Sequence, residues 1–346
     1  MNEKKTSTHK NNTINEFDLI NQIKQQTNLT HKNNIKGIGD DAAVSKIGDE
    51  YLVVSKDMLT EGIHFDLTYT PLKHLGYKSV VSNISDIAAM NVKPTSILIS
   101  LAISAKMNKD HVMEFYKGVF LACKNYNIDL IGGDTSSSLT GFTISVTVLG
   151  SEKDKKKIVY RDTAKEGDLI FVTGDFGGAY LGLQILEREK NIFLNHPESQ
   201  PVLDNYDYVV GRQLKPEART DIVDFFTKHK IQPTSMIDVS DGISSDLMHI
   251  CSSSKVGCDI YLEKIPVNKE TMRVAQELNI NEMTSALNGG EDYELLFTVN
   301  PKYLNLFLEK GFSSLGVIKK ETEGCNVILE NKEKVKLQSM GWLNSI

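Results

Sequence analysis

Hydrophobic and polar positions alternate along this chain in two distinct ways. In "TSILISLAI" Ile97, Ile99, Leu101 and Ile103 recur every second residue, and in "FTISVTVLG" Phe142, Ile144, Val146 and Val148 do the same. That is the period of a strand with one buried face. "EYLVVSKDML" reads as a further strand running into a polar end. Elsewhere the period lengthens to that of a helix. Across 71–90, Val80, Val81, Ile84, Ile87 and Ala88 share one apolar face; across 111–123, Val112, Phe115, Tyr116, Val119, Phe120 and Cys123 share another. "NEFDLINQI" reads as a short amphipathic helix ahead of them. The first half is an α/β unit.

"SEKDKKKIVYRDTAKEGD" then reads as a basic and acidic hinge, with Lys155 to Lys157 in a solvated loop. The pattern restarts with "DLIFVTG" as a strand, a glycine-rich turn and a helix over 179–190. "NIFLNHPESQPVLDNYD" reads as a surface loop. "SMIDVSDG" is a strand ending in acids, followed by an amphipathic helix with Ile243, Leu247 and Ile250; "EDYELLFTV" is another strand. Neither heptads nor short-period repeats interrupt this order. The economical reading is a disordered polar tail over 1–15, one α/β domain over 16–150 and a second over 151–346.

Bulk composition narrows the class only a little. At 346 residues, 40% hydrophobic and 24% charged, the chain has the make-up of an ordinary globular protein with room for two domains. A net charge of -6 argues against a general nucleic-acid binder. Phosphate ligands stay open, because divalent cations can supply positive charge. No apolar run is long enough to span a membrane, and the polar start lacks the core of a signal peptide. The four cysteines are scattered without zinc spacing, so a reduced, cytoplasmic protein is expected.

Chemistry concentrates in the acids. "GIGDDAAV" sets Asp40 beside Asp41, with only Lys36 just ahead of the motif. Adjacent carboxylates repel and are rarely buried uncompensated. "VVSKD" adds Ser55 and Asp57, "NISD" adds Asn83 and Asp86, and "IGGD" adds Asp134. "IDVSDG" adds Asp238, Ser240 and Asp241, and "GGEDYE" adds Glu291, Asp292 and Glu294. Asn83 and Asp86 are three apart on an otherwise apolar helix, so they share a polar stripe. An unpaired Asp buried there costs on the order of several kcal/mol, or its pKa rises. A cation must meet it, or that face lines a wet cleft. Dispersed oxygen ligands suit magnesium, and no EF-hand loop occurs. Walker and protein-kinase motifs are missing too. "VTGDFGGAYLGL" follows a strand and opens a helix, so its N–H groups could face a phosphate, but it is not G-x-G-x-x-G. The residues alone define a magnesium-dependent, phosphate-handling protein.

In this order, "GIGDDAAV", "VSKDMLTEGIHF", "NISDIAAM", "IGGDTS", "IDVSDGISSDL" and "GGEDYELLFTV" resemble the thiamine-monophosphate kinases. These belong to the superfamily of aminoimidazole ribonucleotide synthetase and selenophosphate synthetase. The likeness runs from about residue 17 to about residue 342. It implies a two-domain α/β (α+β) fold of the aminoimidazole ribonucleotide synthetase kind, pairing as a homodimer through its N-terminal domain. The implied reaction is ATP-dependent phosphorylation of thiamine phosphate to thiamine diphosphate. By resemblance Asp41, Ser55, Asp57, Asp86, Asp134, Asp238 and Asp241 would be magnesium ligands. Arg161, Ser240 and Asp134 would meet ATP; His64, Glu291 and Trp342 would meet thiamine phosphate; Asp40 would stand behind the ligands. Lys56 departs from the family's usual Thr, and "GWLNSI" departs from its usual ending around Trp342.

A phosphate monoester acceptor has a second pKa of about 6, so no general base is required. Direct in-line transfer is expected, with metal ions neutralising "GIGDD". Siblings fit less well. Selenophosphate synthetase would want a reactive cysteine near the N-terminal glycines, where the first here is Cys123. The hydrogenase-maturation member would want a C-terminal cysteine, and this chain ends "LNSI". A non-catalytic relative would have lost metal carboxylates, and all the expected ones are present.

Overall fold

The computed structural model describes residues 16–338, so the tail over 1–15 and Trp342 lie outside the described residues. Strands β1 (Asn34–Lys36), β2 (Ala43–Ile47), β3 (Glu50–Thr60), β4 (Pro94–Ser104), β5 (Asp129–Ser138) and β6 (Thr143–Glu152) form one sheet in the order β1-β2-β3-β6-β4-β5. Helices α1 (Glu16–Gln26), α2 (Leu72–Ala89) and α3 (Lys109–Tyr126) belong to this half. Strands β7 (Leu169–Val172), β8 (Ser235–Asp238), β9 (Val256–Tyr261), β10 (Leu295–Val299), β11 (Ser313–Lys320), β12 (Cys325–Ile328) and β13 (Lys334–Lys336) form a second sheet, β13-β12-β9-β11-β7-β10-β8. With it go α4 (Gly178–Asn195), α5 (Asp207–Leu214), α6 (Thr220–His229), α7 (Ile243–Ser254), α8 (Lys269–Leu278), α9 (Glu282–Asn288) and α10 (Leu304–Glu309).

The periods of the sequence reappear as β4, β6, α2 and α3, and their apolar faces meet in one core that includes Val80, Ile84, Ile97, Phe115, Val146 and Val148. Three segments differ from the sequence reading, one of them "EDYE", which precedes β10 as a loop rather than lying within the strand. The expected surface loop after residue 190 is helical as far as Asn195, because nothing before Pro197 breaks α4, and His196 N–H closes it onto Ile192 O. Strand β5 left no alternating pattern: it is an edge strand whose residues are almost all exposed, so neither face had to be apolar.

Helix α2 is buried nearly all round, since it packs on its own sheet, on α3 and on β8 of the second unit. Its polar residues therefore point into the junction between the two units rather than to solvent. The α2–α3 crossing is too close for side chains. A Cβ on Gly118 would stand 1.8 Å from Lys73 O, and one on Gly76 would stand 2.0 Å from Phe115 O. Gly118→Val is thus expected to lose on the order of 3 kcal/mol by denaturant unfolding, through overpacking. Gly211→Ala, in α5 with open space around the new methyl, serves as the neutral or mildly stabilising control.

Candidate active site

Three elements aim acids at the junction. Ser55 and Asp57 are two apart on β3 and so share a face. Asn83 and Asp86 project from α2 towards it: Asn83 Oδ1 accepts Asp57 N–H at 3.1 Å, and Ser55 Oγ donates to Asp86. Asp238 ends β8. Carboxylate oxygens of Asp41, Asp86 and Asp238 all lie within 4.8 Å of one another. Burial, then the charges of Asp57, Asp238 and Asp41, holds the Asp86 carboxyl well above the usual carboxylate range. Asp238 is pushed up to about 8 by burial and by Asp41. In a magnesium shell, metal–oxygen bonds near 2.1 Å place neighbouring oxygens about 3 Å apart and opposite ones about 4.2 Å apart. Three converging carboxylates that strain against each other when bare fit such an ion.

Asp40 and Asp41 are already met by protein cations. Arg161 grips Asp41 with two N–H groups, Nε at 3.0 Å and Nη2 at 2.5 Å. Its backbone N–H donates to Asp40 at 3.2 Å, and Lys36 Nζ stands 2.9 Å from the other Asp40 oxygen. Asp40 is thus a buried brace tying the motif to Arg161, although burial and Asp41 still raise its pKa to about 6. The expectation that metal alone neutralises "GIGDD" needs this correction: Lys36 and Arg161, one four and the other over a hundred residues away, share the task.

A cavity of about 600 Å³ holds Asp41, Ser55, Asp57, Asp86, Arg161 and Asp238 on its wall. A second cavity of about 430 Å³ is lined by His64, Tyr69, Tyr180, Glu187, Asp241 and Glu291, among others. Ser240 and Tyr293 line both, so the two spaces adjoin. The second cavity is closed across the units by Lys190 of α4, which bridges Asp66 (2.8 Å) and Glu187 (3.2 Å). His64 Nδ1 accepts Thr60 N–H at 3.0 Å, so the neutral imidazole carries its proton on Nε2.

The "GGEDYE" loop sorts its acids by direction. Gly290, Glu291 and Tyr293 all have positive φ. A Cβ on Gly290 would meet Ser240 O at 2.4 Å, which is why the loop can zip onto 239–240 through Glu291 N–H to Ser240 O (2.8 Å) and Tyr293 N–H to Val239 O (3.0 Å). Glu291 faces the second cavity, held by Lys78 Nζ at 3.0 Å and Gln213 Nε2 at 2.8 Å. Asp292 turns away and accepts the N–H groups of Gly177 (2.9 Å) and Ala179 (3.4 Å). The glycine-rich start of α4 therefore caps on the protein's own carboxylate and is not a phosphate cradle. Glu294 takes Arg212 at 3.1 Å and Arg219 at 2.7 Å.

Two expected ligands stand apart from the trio. Asp134 sits within edge strand β5, separated from β3 by β4 and β6, and its carboxylate accepts Thr135 N–H at 2.8 Å. Asp241 instead groups with Asp246 and His249, and burial then the Glu16 charge raise it to about 6. Lys56 points across the sheet to hydrogen-bond Ser145 on β6. Sequence reasoning missed Lys78, Gln213 and Arg212. Lys78 had a signal: it lies in one stripe with Ser82 and Asp86, at steps of four along α2. Trp342 lies outside the described residues.

Two α/β units joined over a buried acidic cluster define the class of AIR synthase related proteins. The N-terminal domain of that family matches residues 39–151 and its C-terminal domain matches 165–329. Thiamine-monophosphate kinase of Buchnera aphidicola subsp. Schizaphis graminum is 38% identical over 338 residues, covering 95% of this chain and 98% of that one. Its Bacillus subtilis counterpart is 33% identical, covering 95% and 99%. The solved structure "AaThiL complexed with AMPPCP and TMP" matches with a TM-score of 0.80 and 32% identity, over 95% of this chain and 97% of that one. The chain belongs to the thiamine-monophosphate kinase family.

Proposed function

We propose that this chain transfers the terminal phosphoryl group of ATP to thiamine phosphate, giving thiamine diphosphate by direct in-line attack. The observation that carries the reading is the meeting of an acidic cavity and an aromatic, acid-lined cavity at Ser240 and Tyr293. Two phosphates approaching from opposite sides would converge there. The family resemblance and the relative bound to AMPPCP and TMP support both ligands.

Tyr69, Tyr180, Glu187 and Glu291 suit a flat, cationic ring system, which stacks on aromatic faces and is neutralised by carboxylates. Lys78 and Gln213 hold Glu291 ready for this task. Magnesium would be held by Asp41, Asp86 and Asp238, with Ser55 and Asp57 beside them, and would supply neutralisation of the phosphate charges. Arg161 is placed to exchange its grip on Asp41 for a nucleotide phosphate. The acceptor phosphate is largely ionised at neutral pH, so the chain needs to orient it rather than deprotonate it.

The open face of the first sheet supports a homodimer. Ile131 and Leu139, on and just after edge strand β5, are 57% and 105% exposed, and Met58 on β3 of the same sheet is 60% exposed, apolar surface that a second copy would cover. Asp134 would act from that covered face. Four free cysteines suit a reducing, cytoplasmic setting.

An end-point assay tests the reading: protein, ATP, magnesium and thiamine phosphate, with a matched reaction containing free thiamine. Diphosphate should form only from the monophosphate and only with the metal. A stable acyl-phosphate on Asp41 or Asp57 during turnover would overturn direct transfer. Glu291→Gln should raise KM for thiamine phosphate about tenfold, a loss near 1.4 kcal/mol, with KM for ATP unchanged.

A further inference from the structure

Three of the four cysteines converge, although the third lies more than sixty residues beyond the other two. Cys251, Cys258 and Cys325 bring their Sγ atoms within 4.8 Å of one another. Each comes from a different element: α7, β9 and β12. Cys258 and Cys325 are direct partners in the parallel β9–β12 ladder, so their side chains leave the sheet on the same face. Cys251 comes from the helix packed over that face, inside a core with Leu247, Ile250, Ile260 and Ile318. Cys251 and Cys258 are buried, whereas Cys325 is partly exposed, near the short edge strand β13.

We propose that Cys251, Cys258 and Cys325 form a three-thiolate site for a thiophilic d10 divalent cation of the zinc and cadmium kind, separate from the acidic cleft. Metal–sulfur bonds near 2.3 Å place thiolate sulfurs about 3.8 to 4.0 Å apart, and the three Sγ atoms already lie within 4.8 Å of one another. Three separate elements, α7, β9 and β12, fix the backbone from which the three side chains converge. Softness separates it from the carboxylates: thiolates select zinc-like ions, and magnesium keeps to oxygen. Cys325 opens the path in and leaves the fourth position to water. On binding, the thiols release their protons to solvent, so occupancy falls as pH falls. The bound ion staples α7 to the outer strands of the second sheet. Because α7 begins directly after Ser240 and Asp241, the staple braces the helix that follows the cleft.

The test uses the full-length reduced protein in excess magnesium, which fills the carboxylate site, and titrates cadmium chloride alone. Thiolate-to-cadmium charge-transfer absorption should saturate at one ion per chain; carboxylates give no such band. Cys325→Ser should weaken binding by at least about 100-fold, and Cys123→Ser should leave it unchanged. A second readout needs no variant: cadmium should protect Cys325 of the native protein from alkylation. Absence of the band at stoichiometric cadmium, an undiminished band in Cys325→Ser, or unprotected Cys325 would each reduce the cluster to core packing and overturn the proposal.

Discussion

Asp86→Asn is expected to lower kcat about a thousandfold while raising the stability of the metal-free protein. The two effects have opposite signs for one reason. Asp86 shares a point with Asp41 and Asp238, and its nearest hydrogen-bond partner is the uncharged Ser55 hydroxyl. Without metal, burial and then the neighbouring acids raise the pKa values of Asp86 and Asp238, so ionising the trio costs the fold. Asn keeps the size and can still accept from Ser55, but it removes one charge, so the bare fold relaxes. With nucleotide bound, the same change deletes an anionic ligand where phosphate charge must be neutralised. A loss of about 4 kcal/mol of that stabilisation corresponds to three orders of magnitude in rate. Thermal unfolding in chelator, paired with steady-state kinetics in magnesium, checks both halves. Activity within tenfold of the parent, or a lower unfolding midpoint in chelator, would show that Asp86 is a structural residue.

Apart from Asp57, which lies inside β3, the acids of this cleft were legible before the fold because each lies at a strand end, near glycine or in a helix stripe that had no other reason to be polar. Their compensating cations were not. Lys78 meets Glu291 from 213 residues away, and Arg161 meets Asp41 from 120 away. A motif shows that a charge needs a partner; only the packing of α2 between the two units decides which partner arrives. Direction was equally hidden in "GGEDYE". Strand alternation would send Glu291 and Tyr293 to one side and Asp292 and Glu294 to the other. Positive φ at Glu291 and Tyr293 breaks the strand there, so the cleft-facing role of Glu291 depends on the loop's own turns. Edge strand β5 escaped because an element with no buried face leaves no period to read.

Arg212→Met should destabilise the second unit by about 3 to 5 kcal/mol in denaturant unfolding, although Arg212 lies in neither cavity wall. Its guanidinium donates to Glu294 at 3.1 Å, to Asp292 at 3.3 Å, and to the carbonyls of Asp175 (3.0 Å) and Asp292 (3.2 Å). Asp292 has a fully buried side chain, and Glu294 is nearly so. Methionine fills similar space but leaves both carboxylates without this cation, and breaking a buried pair from one side costs far more than the pair itself contributes. Glu294 keeps Arg219, so the larger share falls on Asp292. That assignment has a pH signature. Even with Arg212 present, burial raises Asp292 to about 6, above its unfolded value of 3.8. A carboxyl with a raised folded pKa penalises the fold most when ionised, and the penalty fades as it protonates. The deficit of Arg212→Met should therefore shrink as pH falls from about 7 towards 5. Adding Asp292→Asn should recover part of it at pH 7, because an amide oxygen can still accept one N–H at the start of α4. A deficit independent of pH and untouched by Asp292→Asn would place the cost in lost packing instead.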